Sequence, residues 1–435
     1  MQIAMIGTGY VGLVSGTCFS EFGFNVTCVD KDEAKIRRLK SNKIPIYEPG
    51  LDILIERNQT AGRLVFTTEL RQAVINADVV FIAVGTPTRR GDGHADLSYV
   101  FSAAKEIAAS MSGYTVVITK STVPVGTGKK VFQIIKGENP NLDFDVASNP
   151  EFLREGSAIN DFMKPDRVVI GAATEKAKQV LEQIYRPLYL IETPIQFTDL
   201  ETAELIKYAA NAFLAVKISY INQIADLCEK VGADVQGVAK GMGLDNRIGG
   251  RFLNPGPGFG GSCFPKDTLA LVKTAELVGS EVSIVEEVVR YNNKRKGSMI
   301  GRILAQLESC VSGKTIAILG LSFKPETDDM RDSPALDIIP ALESEGANIV
   351  AYDPAAMQEA KMLLPETVTF ATDLENCIKG VDACVIVTEW NEFRAITANK
   401  FLELMNGDVV VDLRNVYLPS EMRDAGIKYS SIGRI

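Results

Sequence analysis

The stretch Gly7-Thr8-Gly9-Tyr10-Val11-Gly12 decides the fold that this chain is expected to adopt. It follows an apolar run at residues 3–6, typical of a buried strand, and it opens a segment of helical character that ends near Phe22. A second apolar run at 25–30 predicts the next strand and ends on the acidic residue Asp30. Strand, glycine turn, helix and acid-ended strand in this order predict a dinucleotide-binding βαβ unit.

Each glycine of the turn has a separate physical task. Gly7 permits the tight turn, Gly9 lets a pyrophosphate approach the backbone, and Gly12 allows the helix to pack closely on the strand. The N-terminus of the helix then presents unpaired N–H groups to the phosphates. A glycine turn that binds nothing is the alternative, and the acid at the end of the second strand argues against it.

Asp30 is expected to choose between the two nicotinamide dinucleotides. Its carboxylate can accept hydrogen bonds from ribose hydroxyls and repels a 2′-phosphate, which favours NAD over NADP. Lys31 and Lys35 follow closely and could soften this preference. The loops at 84–88 and 121–124 each follow a predicted strand at its carboxyl end, where ligands bind in open sheets, so both are expected to face the cofactor.

The alternation of strands and helices occurs twice along the chain. Further strands are predicted at 78–84, 115–119 and 144–147, and later at 315–319, 348–352, 382–387 and 409–412, with a helix at 335–345. This pattern is typical of a parallel sheet covered on both faces. The predicted fold class is α/β, with two doubly wound Rossmann-like domains joined by a long central helix and a helical central domain. The predicted boundaries are 1–198, 199–308 and 309–435.

The second repeat lacks the glycine fingerprint. Gly320 follows its first strand, but the turn continues as Phe323-Lys324-Pro325. A second nicotinamide site is therefore not expected there, whereas a different phosphate ligand remains open.

Residues 201 to about 231 predict one long helix between the repeats. A spacing of three and four residues places one set on a single face: Leu200, Ala203, Glu204, Ile206, Lys207, Ala210, Asn211 and Leu214. Thirty residues span roughly 45 Å, which is long enough to link two domains and to offer a face for dimerisation. An ordinary buried connector helix stays open as the alternative.

Composition excludes several classes of protein. A formal net charge of -9 argues against a nucleic-acid partner held by a general basic field, so an anionic substrate would need local Lys and Arg. No apolar run approaches the roughly 20 residues of a membrane span, and no secretory signal is expected. Seven cysteines without metal-type spacing predict a cytoplasmic protein with no metal site.

Cys263 lies in a glycine-rich loop with the sequence GFGGSCFPKD at 258–267. A glycine-flanked cysteine beside Lys266 and Asp267 is typical of a nucleophile, because a nearby cation raises the thiolate fraction. Combined with a nicotinamide site, it predicts an oxidation through a covalent thiol adduct, which a plain alcohol dehydrogenase does not need. The single histidine, His94, is expected to be solvated, so the general base must be Lys, Asp, Glu or water.

Three motifs resemble the UDP-glucose/GDP-mannose dehydrogenase family. They are GFGGSCFPKD at 258–267, NPEFLREG at 149–156, and GLSFKP at 320–325 followed by DDMR at 328–331. The resemblance extends from Gly7 to Arg414. It implies a four-electron oxidation of carbon 6 of UDP-glucose to UDP-glucuronate, with two NAD+ and one water consumed. Phe259 and Phe264 favour the UDP-glucose branch.

In the implied scheme a first hydride transfer yields an aldehyde, which Cys263 traps as a thiohemiacetal. A second hydride transfer gives a thioester, which water hydrolyses. Lys207 takes the alcohol proton and steadies the oxyanion, and Asn211 donates to the same oxygen from the next helical turn. The implied catalytic residues are Cys263, Lys207, Asn211, Asp267, Glu151 and Thr122, with Asp267 holding Lys207 or the hydrolytic water and Glu151 and Thr122 positioning water.

The resemblance also implies the binding residues, and it assigns NAD binding, dimerisation and UDP-sugar binding to the three domains in order. The implied cofactor contacts are Gly7, Gly9, Tyr10, Val11, Gly12, Asp30, Lys35, Thr86, Thr122, Glu155, Lys266 and Arg331. The implied substrate contacts are Glu151, Phe152, Leu153, Arg154, Glu155, Lys207, Asn211, Arg247, Phe252, Leu253, Asn254, Pro255, Gly256, Gly260, Lys324 and Arg414. Arg247 matches an arginine that reaches the neighbouring subunit's substrate, which implies a homodimer or a larger homo-oligomer.

Alternatives to the UDP-glucose branch remain. GDP-mannose 6-dehydrogenases use the same chemistry on another nucleotide sugar, and UDP-N-acetylhexosamine dehydrogenases differ around the cysteine. A catalytically inactive nucleotide-sugar-binding protein would be expected to have lost Cys263, Lys207 or Asp267. A two-electron hydroxy-acid dehydrogenase does not require the cysteine. His94 stands where a small residue such as serine is expected, which could alter the loop near the cofactor.

Overall fold

The structure is a computed structural model that describes residues 1–89, 93–308 and 310–434. The chain divides into two compact units. Unit 1 comprises Met1–Ala210 with Lys273–Ser280, and unit 2 comprises Asn211–Val272 with Glu281–Ile435. The predicted division into three domains at 198 and 308 stays a prediction.

The described part of unit 1 contains an eight-stranded sheet. Its strands are β1 Gln2–Ile6, β2 Asn25–Val29, β3 Leu64–Thr67, β4 Val79–Ile82, β5 Thr115–Thr119, β6 Phe144–Ser148, β7 Val168–Ala172 and β8 Ile195–Thr198. They pair in the order β3-β2-β1-β4-β5-β6-β7-β8. The pairs are parallel except β6 with β7, which is antiparallel. The chain turns back after the carboxyl end of β6, so β7 runs in the opposite direction. The expectation of a parallel sheet therefore holds for the first six strands.

Helices cover both faces of this sheet. They are α1 Tyr10–Glu21, α2 Glu33–Lys40, α3 Leu51–Thr60, α4 Leu70–Val74, α5 Ser98–Ala108, α6 Thr127–Glu138, α7 Ala158–Met163 and α8 Glu175–Tyr185, followed by a 3-10 helix at Arg186–Ile191. Along β1, Ile3 and Met5 belong to one apolar cluster while Ala4 and Ile6 belong to another. Successive residues of a strand face opposite sides, so each face of β1 is buried in its own core.

A long helix, α9 Leu200–Val231, begins in unit 1 and continues in unit 2, which confirms the helix predicted at 201–231. Three more helices follow: α10 Val235–Gly243, α11 Phe264–Leu277 and α12 Ser283–Gln306. No helix among the described residues combines the length and the apolar character that crossing a membrane requires.

The described part of unit 2 contains a six-stranded, wholly parallel sheet. Its strands are β9 Thr315–Leu319, β10 Asn348–Tyr352, β11 Thr369–Phe370, β12 Ala383–Ile386, β13 Val409–Asp412 and β14 Lys428–Ser431. The order is β11-β10-β9-β12-β13-β14. The remaining helices are α13 Ala335–Ser344, α14 Met357–Leu363, α15 Leu374–Ile378, α16 Ala398–Leu404 and α17 Pro419–Asp424, with a 3-10 helix at Asn391–Ala395. This order repeats that of the first six strands of unit 1, so the prediction of two Rossmann-like sheets is confirmed.

Candidate active site

The glycine turn after β1 has the close contacts that its sequence predicts. Gly7 has φ +103, and a Cβ there would lie 2.5 Å from the carbonyl oxygen of Ala83. A Cβ on Gly12 would lie 2.0 Å from the carbonyl oxygen of Gly7. Around Gly9, by contrast, a Cβ would meet no atom within 4 Å. The first and third glycines therefore serve the packing of the chain itself, while the second leaves open the space through which a pyrophosphate can approach.

Asp30 follows β2 and turns back to the glycine turn. Its Oδ2 accepts hydrogen bonds from Thr8 N at 3.0 Å, from Thr8 Oγ1 at 2.7 Å and from Lys35 Nζ at 3.0 Å, and its Oδ1 accepts from Asp32 N at 3.1 Å. Burial alone would raise the pKa of the Asp30 carboxyl, but these hydrogen bonds outweigh it and lower the pKa. The carboxylate stays ionised, and Lys35 partly neutralises it.

Two loops at the carboxyl ends of neighbouring strands are joined by hydrogen bonds. Thr86 is buried, and its Oγ1 donates to the Thr122 carbonyl at 3.0 Å. Ser121 Oγ donates to the carbonyl of Val84 at 2.7 Å. Thr86 and Thr122, predicted separately as cofactor contacts, therefore lie side by side at the edge of the sheet where ligands bind.

The loop after β6 brings a buried ion pair into unit 1. Glu151 Oε1 lies 3.1 Å from Lys207 Nζ, and the two side chains are 5% and 3% exposed. The other oxygen of Glu151 accepts from Leu153 N at 2.6 Å, which fixes the carboxylate in place. Two cations lie near the ring of Phe152, with the guanidinium carbon of Arg167 at 3.5 Å and Lys207 Nζ at 5.3 Å from its centroid.

The end of the same loop has two different environments. Glu155 is buried. Arg154 is half-exposed and forms a bidentate pair with Asp161, with Nε and Nη2 at 2.9 and 2.6 Å from its oxygens. Arg154 is thus held by the protein, although its side chain remains open to solvent.

Glu48 is a buried residue of this region that sequence reasoning missed. Its carboxylate accepts from Gly156 N at 2.8 Å and from Ile159 N at 3.2 Å, and it bonds the hydroxyl of Tyr10. Burial, together with this carboxylate, raises the pKa of Tyr10, so the phenol stays protonated and donates. Glu48 therefore links the glycine turn to the loop that follows Glu155. No local pattern around Glu48 predicted it, because Tyr10 lies 38 residues before it, and Gly156 and Ile159 lie more than a hundred residues after it.

Lys120, at the end of β5, is a second missed residue. Its Nζ is buried and donates to Asn149 Oδ1 at 3.0 Å and to Tyr185 OH at 3.3 Å. Burial lowers the pKa of Lys120 to about 8. This polar network lies directly before Pro150 and Glu151 and anchors the start of their loop. A lysine that directly follows an apolar strand was the available signal.

In unit 2, Cys263 immediately precedes α11, and Asp267 N donates to its carbonyl oxygen at 2.8 Å. The Cys263 thiol is partly exposed, and Ser262 Oγ lies 3.5 Å from Sγ. Asp267 is buried and accepts from Asn211 Nδ2 at 2.7 Å and from Lys266 Nζ at 2.6 Å. The predicted residues Asn211, Lys266 and Asp267 thus form one hydrogen-bonded cluster, in which Asn211 comes from α9 and the other two from the first turn of α11.

The glycines before Cys263 pack against the C-terminal motif. Gly261 N donates to the Arg331 carbonyl at 2.7 Å, and a Cβ on Gly261 would lie 2.6 Å from the Phe323 ring. A Cβ on Gly260 would lie 2.3 Å from the Asp332 carbonyl. Two motifs that the sequence separates by some sixty residues therefore meet in unit 2. The Arg331 side chain itself is exposed and pairs with Asp329 at 2.8 Å.

The predicted substrate loop at 252–256 also lies in unit 2. Gly256 N donates to Asn222 Oδ1 at 2.8 Å, and a Cβ on Gly256 would lie 3.1 Å from an Arg414 guanidinium nitrogen. Arg414 in turn donates to the carbonyl of Phe323 at 3.0 Å. The remaining members divide by exposure, since Leu253 and Pro255 are buried, Phe252 is intermediate and Asn254 is exposed.

Arg247 and Lys324 are two cationic residues that were predicted to contact the substrate. Arg247 is exposed and pairs with Asp245 at 2.6 Å. Lys324 Nζ lies 5.7 Å from the centroid of the Phe323 ring. Within 1–89, 93–308 and 310–434, no group of three or more His, Cys, Asp or Glu side chains has the arrangement of a metal site.

Three domains of one known protein family match the chain along most of its length. Residues 1–189 match the NAD binding domain of the UDP-glucose/GDP-mannose dehydrogenase family, 201–294 its central domain and 317–419 its UDP binding domain. The chain belongs to this family. NAD is accordingly its cofactor, and the open space at Gly9 and the ionised carboxylate of Asp30 fit a dinucleotide without a 2′-phosphate.

Individual members of the dehydrogenase family are similar over their whole length. The chain is 57% identical to a UDP-glucose 6-dehydrogenase of Rhizobium meliloti, over 100% of both sequences. It is 51% identical to the UDP-glucose 6-dehydrogenase TuaD of Bacillus subtilis, over 100% of this chain and 93% of that protein. A solved UDP-glucose dehydrogenase from Pyrobaculum islandicum has a TM-score of 0.91 at 38% identity, covering 100% of this chain and 98% of that one.

Proposed function

We propose that this dehydrogenase oxidises UDP-glucose to UDP-glucuronate, consuming two NAD+ and one water. The full-length similarity to UDP-glucose 6-dehydrogenases supports the substrate. The single observation that carries the chemistry is the arrangement at the start of α11, where Cys263 opens the helix and Asp267, one turn on, accepts from Asn211. A helix N-terminus favours negative charge, so it favours a sulfur that acts as a nucleophile.

The first oxidation makes the aldehyde. NAD+ supplies the ring that accepts a hydride in both oxidation steps. Lys207 Nζ accepts the proton of the carbon 6 hydroxyl as the C–H bond breaks, and the ammonium so formed steadies the carbonyl oxygen. Glu151, paired with this nitrogen at 3.1 Å, keeps it in place between these two states.

The second oxidation takes place on the cysteine. Cys263 Sγ loses its proton and bonds to the aldehyde carbon, while Lys207 returns a proton to the oxygen, which gives a thiohemiacetal. Loss of the second hydride and of the hydroxyl proton leaves a thioester. A water positioned by Glu151, Thr122 or Asp267 attacks this carbon and gives up both of its protons, while the C–S bond breaks. The sulfur leaves as thiolate and takes up one proton, which restores the thiol. Overall, the alcohol, two NAD+ and one water give the carboxylate, two NADH and three protons.

The binding roles follow the same proposal. The glycine turn, Asp30 and Lys35 hold the adenosine half of the cofactor, while Thr86, Glu155, Lys266 and Arg331 contact its remainder. The loop at 252–256, with Gly260, Lys324 and Arg414, holds the UDP-sugar, because backbone N–H groups and point charges suit a diphosphate. The loop at 151–156 contacts the sugar. The three predicted domains carry NAD binding, dimerisation and UDP-sugar binding.

We also propose that the protein is a homodimer or a larger homo-oligomer in the cytoplasm. On α9, Phe213, Tyr220 and Leu227 recur every seven residues and are 64%, 48% and 53% exposed. A row of large apolar side chains on a long helix is suited to a second copy of the helix. Arg247 is exposed, and we assign it a contact with the substrate of the neighbouring subunit. The unpatterned cysteines fit a reducing compartment. Sedimentation analysis that finds only monomer at assay concentrations would remove the oligomer.

A panel of nucleotide sugars tests the function directly. NADH formation is followed with UDP-glucose, UDP-N-acetylglucosamine, UDP-N-acetylmannosamine and GDP-mannose at limiting sugar, and two NADH per UDP-glucose are expected. Cys263→Ser should lose net turnover while the Kd values for NAD+ and UDP-glucose stay within a few-fold, and Cys310→Ser, which changes an exposed cysteine, is the matched control. One NADH per sugar, or full steady-state turnover by Cys263→Ala, would refute the covalent scheme. Preference for GDP-mannose would refute the substrate.

A further inference from the structure

Glu204 is a buried carboxylate that the proposed chemistry leaves without a role. It lies in the first turns of α9 and is 3% exposed. Its Oε2 accepts from Gly126 N at 2.6 Å, and its Oε1 accepts from Gly128 N at 2.7 Å and from Ser148 Oγ at 3.3 Å. One side chain of α9 therefore binds both the loop after β5 and the end of β6.

The contact with α6 is a helix cap supplied from a distance. The N-cap residue of α6 is Gly126, with φ 89 and no side-chain cap of its own. The first N–H groups of a helix have no partner within the helix, and a carboxylate at this end also interacts favourably with the helix dipole. Glu204, 76 residues beyond Gly128, satisfies two of these groups. Glycine at 128 leaves room for this, since a Cβ there would lie 3.1 Å from Glu204 Oε1.

The carboxylate also borders the residues assigned to the reaction. The lining of a small cavity in unit 1 includes Thr119, Thr122, Ser148, Pro150, Glu204 and Lys207. Two of these, Thr122 and Lys207, have proposed catalytic roles, and Pro150 directly precedes Glu151. The walls thus come from the three segments that Glu204 joins, namely α9 and the carboxyl ends of β5 and β6.

Lys207 follows Glu204 by three residues, which is less than one turn and about 4.5 Å along the helix axis. A contact that fixes Glu204 against β5 and β6 therefore also fixes the height and rotation of Lys207. We propose that Glu204 is a positioning residue, which holds Lys207 in register with Glu151 and Thr122 by capping α6 and binding Ser148. This inference rests on the proposed function, because Lys207 is assigned there as the proton acceptor. Misplacement of a reacting group by about 1 Å costs on the order of 10²-fold in rate.

Burial raises the pKa of Glu204 to about 7, although the N–H groups of Gly128 and Gly126 and the hydroxyl of Ser148 act in the opposite direction. Burial therefore destabilises the charged form of Glu204, whereas a neutral glutamine of the same size would not have this desolvation cost. Glutamine keeps one acceptor oxygen but turns an NH2 group toward one of the two backbone donors. Glu204→Gln should therefore weaken the contact, whereas Glu204→Ala removes it.

The test compares rates and affinities of these two variants with a matched cap variant elsewhere in unit 1. In Glu204→Ala, kcat for UDP-glucose should fall about 10²-fold, while KM for UDP-glucose and Kd for NAD+ change less than about threefold. Glu204→Gln should lie between the Ala variant and the wild type, and the loss should appear in the first hydride transfer under single-turnover conditions. Thr174→Ala removes the cap of α8, in which Thr174 Oγ1 accepts from Ala177 N, so it should lower the Tm without lowering kcat.

The outcomes separate the inference from the function. A wild-type enzyme that yields two NADH per UDP-glucose, with Glu204→Ala within twofold of its kcat, would overturn the positioning role and leave the function intact. A kcat loss in Thr174→Ala equal to that in Glu204→Ala at the same fall in Tm would also overturn it. A wild type inactive on UDP-glucose would remove function and inference together. Where Glu204→Ala does not fold, the same comparison uses Glu204→Gln.

Discussion

The glycine turn offers a paired prediction, because its second and third glycines are needed for different reasons. Gly9 has φ -70 and ψ -174, which any residue can adopt, and its Cβ would meet no protein atom within 4 Å. Gly9→Ala should therefore fold normally. A Gly→Ala change at a compatible position stabilises by about 0.4–1 kcal/mol through the unfolded chain.

The added methyl group instead occupies the space needed by the cofactor. It should keep a pyrophosphate from the backbone N–H groups at the start of α1. Charge-assisted hydrogen bonds are worth about 1.5–3 kcal/mol, so Kd for NAD+ should rise roughly 10- to 150-fold. For Gly12→Ala the methyl group would lie 2.0 Å from the Gly7 carbonyl oxygen, more than about 1 Å inside ordinary contact. Overpacking of this kind costs about 1–3 kcal/mol, so stability and NAD+ binding should fall together.

Calorimetric titration of NAD+ and thermal unfolding of each variant separate the two effects. The expected pattern is an unchanged or raised Tm with weak binding for Gly9→Ala, and a lowered Tm for Gly12→Ala. Wild-type affinity in Gly9→Ala would refute the assignment of this turn to the pyrophosphate. A Tm loss in Gly9→Ala as large as that in Gly12→Ala would refute the distinction between the two glycines.

Three further predictions concern buried charges. Lys207→Met and Glu151→Gln should each destabilise unit 1 by about 3–5 kcal/mol, because each change leaves the other member of a buried ion pair without its partner. The double variant should lose less stability than the sum of the two single losses. Hydrogen exchange of unit 1 peptides measures these losses, and additive losses would contradict the prediction. For Glu204, burial raises the pKa of the carboxyl from 4.5 to about 7 in the folded protein, so proton uptake by this carboxyl adds stability that is full below pH 4.5 and is lost as the pH rises to 7. The free energy of unfolding of the wild type should therefore rise relative to that of Glu204→Gln as pH falls from 7 to 5, by up to about 1.4 kcal/mol per pH unit. Denaturant unfolding at each pH measures this, and a constant difference would contradict the burial of this charge. Asp353→Asn should destabilise unit 2 by about 1–3 kcal/mol without changing Kd for NAD+. Unfolding can be followed by fluorescence of the single tryptophan, Trp390, whose indole N–H donates to this carboxylate at 3.1 Å. A weaker NAD+ complex would contradict the prediction.

The parts of the fold that were predictable are those that local sequence determines. Strands β1, β5, β9 and β13 coincide with apolar runs, because a strand buried on both faces needs apolar residues at every position. The edge strands β3, β8, β11 and β14 were missed. At β8 no residue is buried, and β11 has only two residues, so a neighbouring strand rather than composition defines them. At β7 every residue is buried, and its run of apolar and small residues is typical of a buried strand, although no strand was predicted there.

Residue types and motif order predicted the members of the candidate site, whereas their partners depend on distant contacts. Glu204 is the instructive case. It stands in the same spacing of three and four as apolar residues of α9, and half of that set is buried in the structure, namely Ala203, Glu204, Lys207 and Asn211. A carboxylate at such a position must find donors, because an unpaired buried charge is costly. The sequence therefore signalled that Glu204 has buried partners, but it could not name Gly126, Gly128 and Ser148.

The two sheets share one strand order but differ at the acidic residue that follows their second strand. Asp30 and Asp353 occupy the same place, after the second strand of their sheets. Asp353 is 1% exposed, and its two oxygens accept from the backbone of Leu321, Ser322, Ala355 and Ala356 and from the indole of Trp390. The Asp30 carboxylate also accepts four hydrogen bonds, but its side chain is 15% exposed and lies next to the turn that contains the open Gly9. The second sheet therefore differs from the first in two features, since it lacks the glycine turn and its acidic residue is closed to an outside ligand.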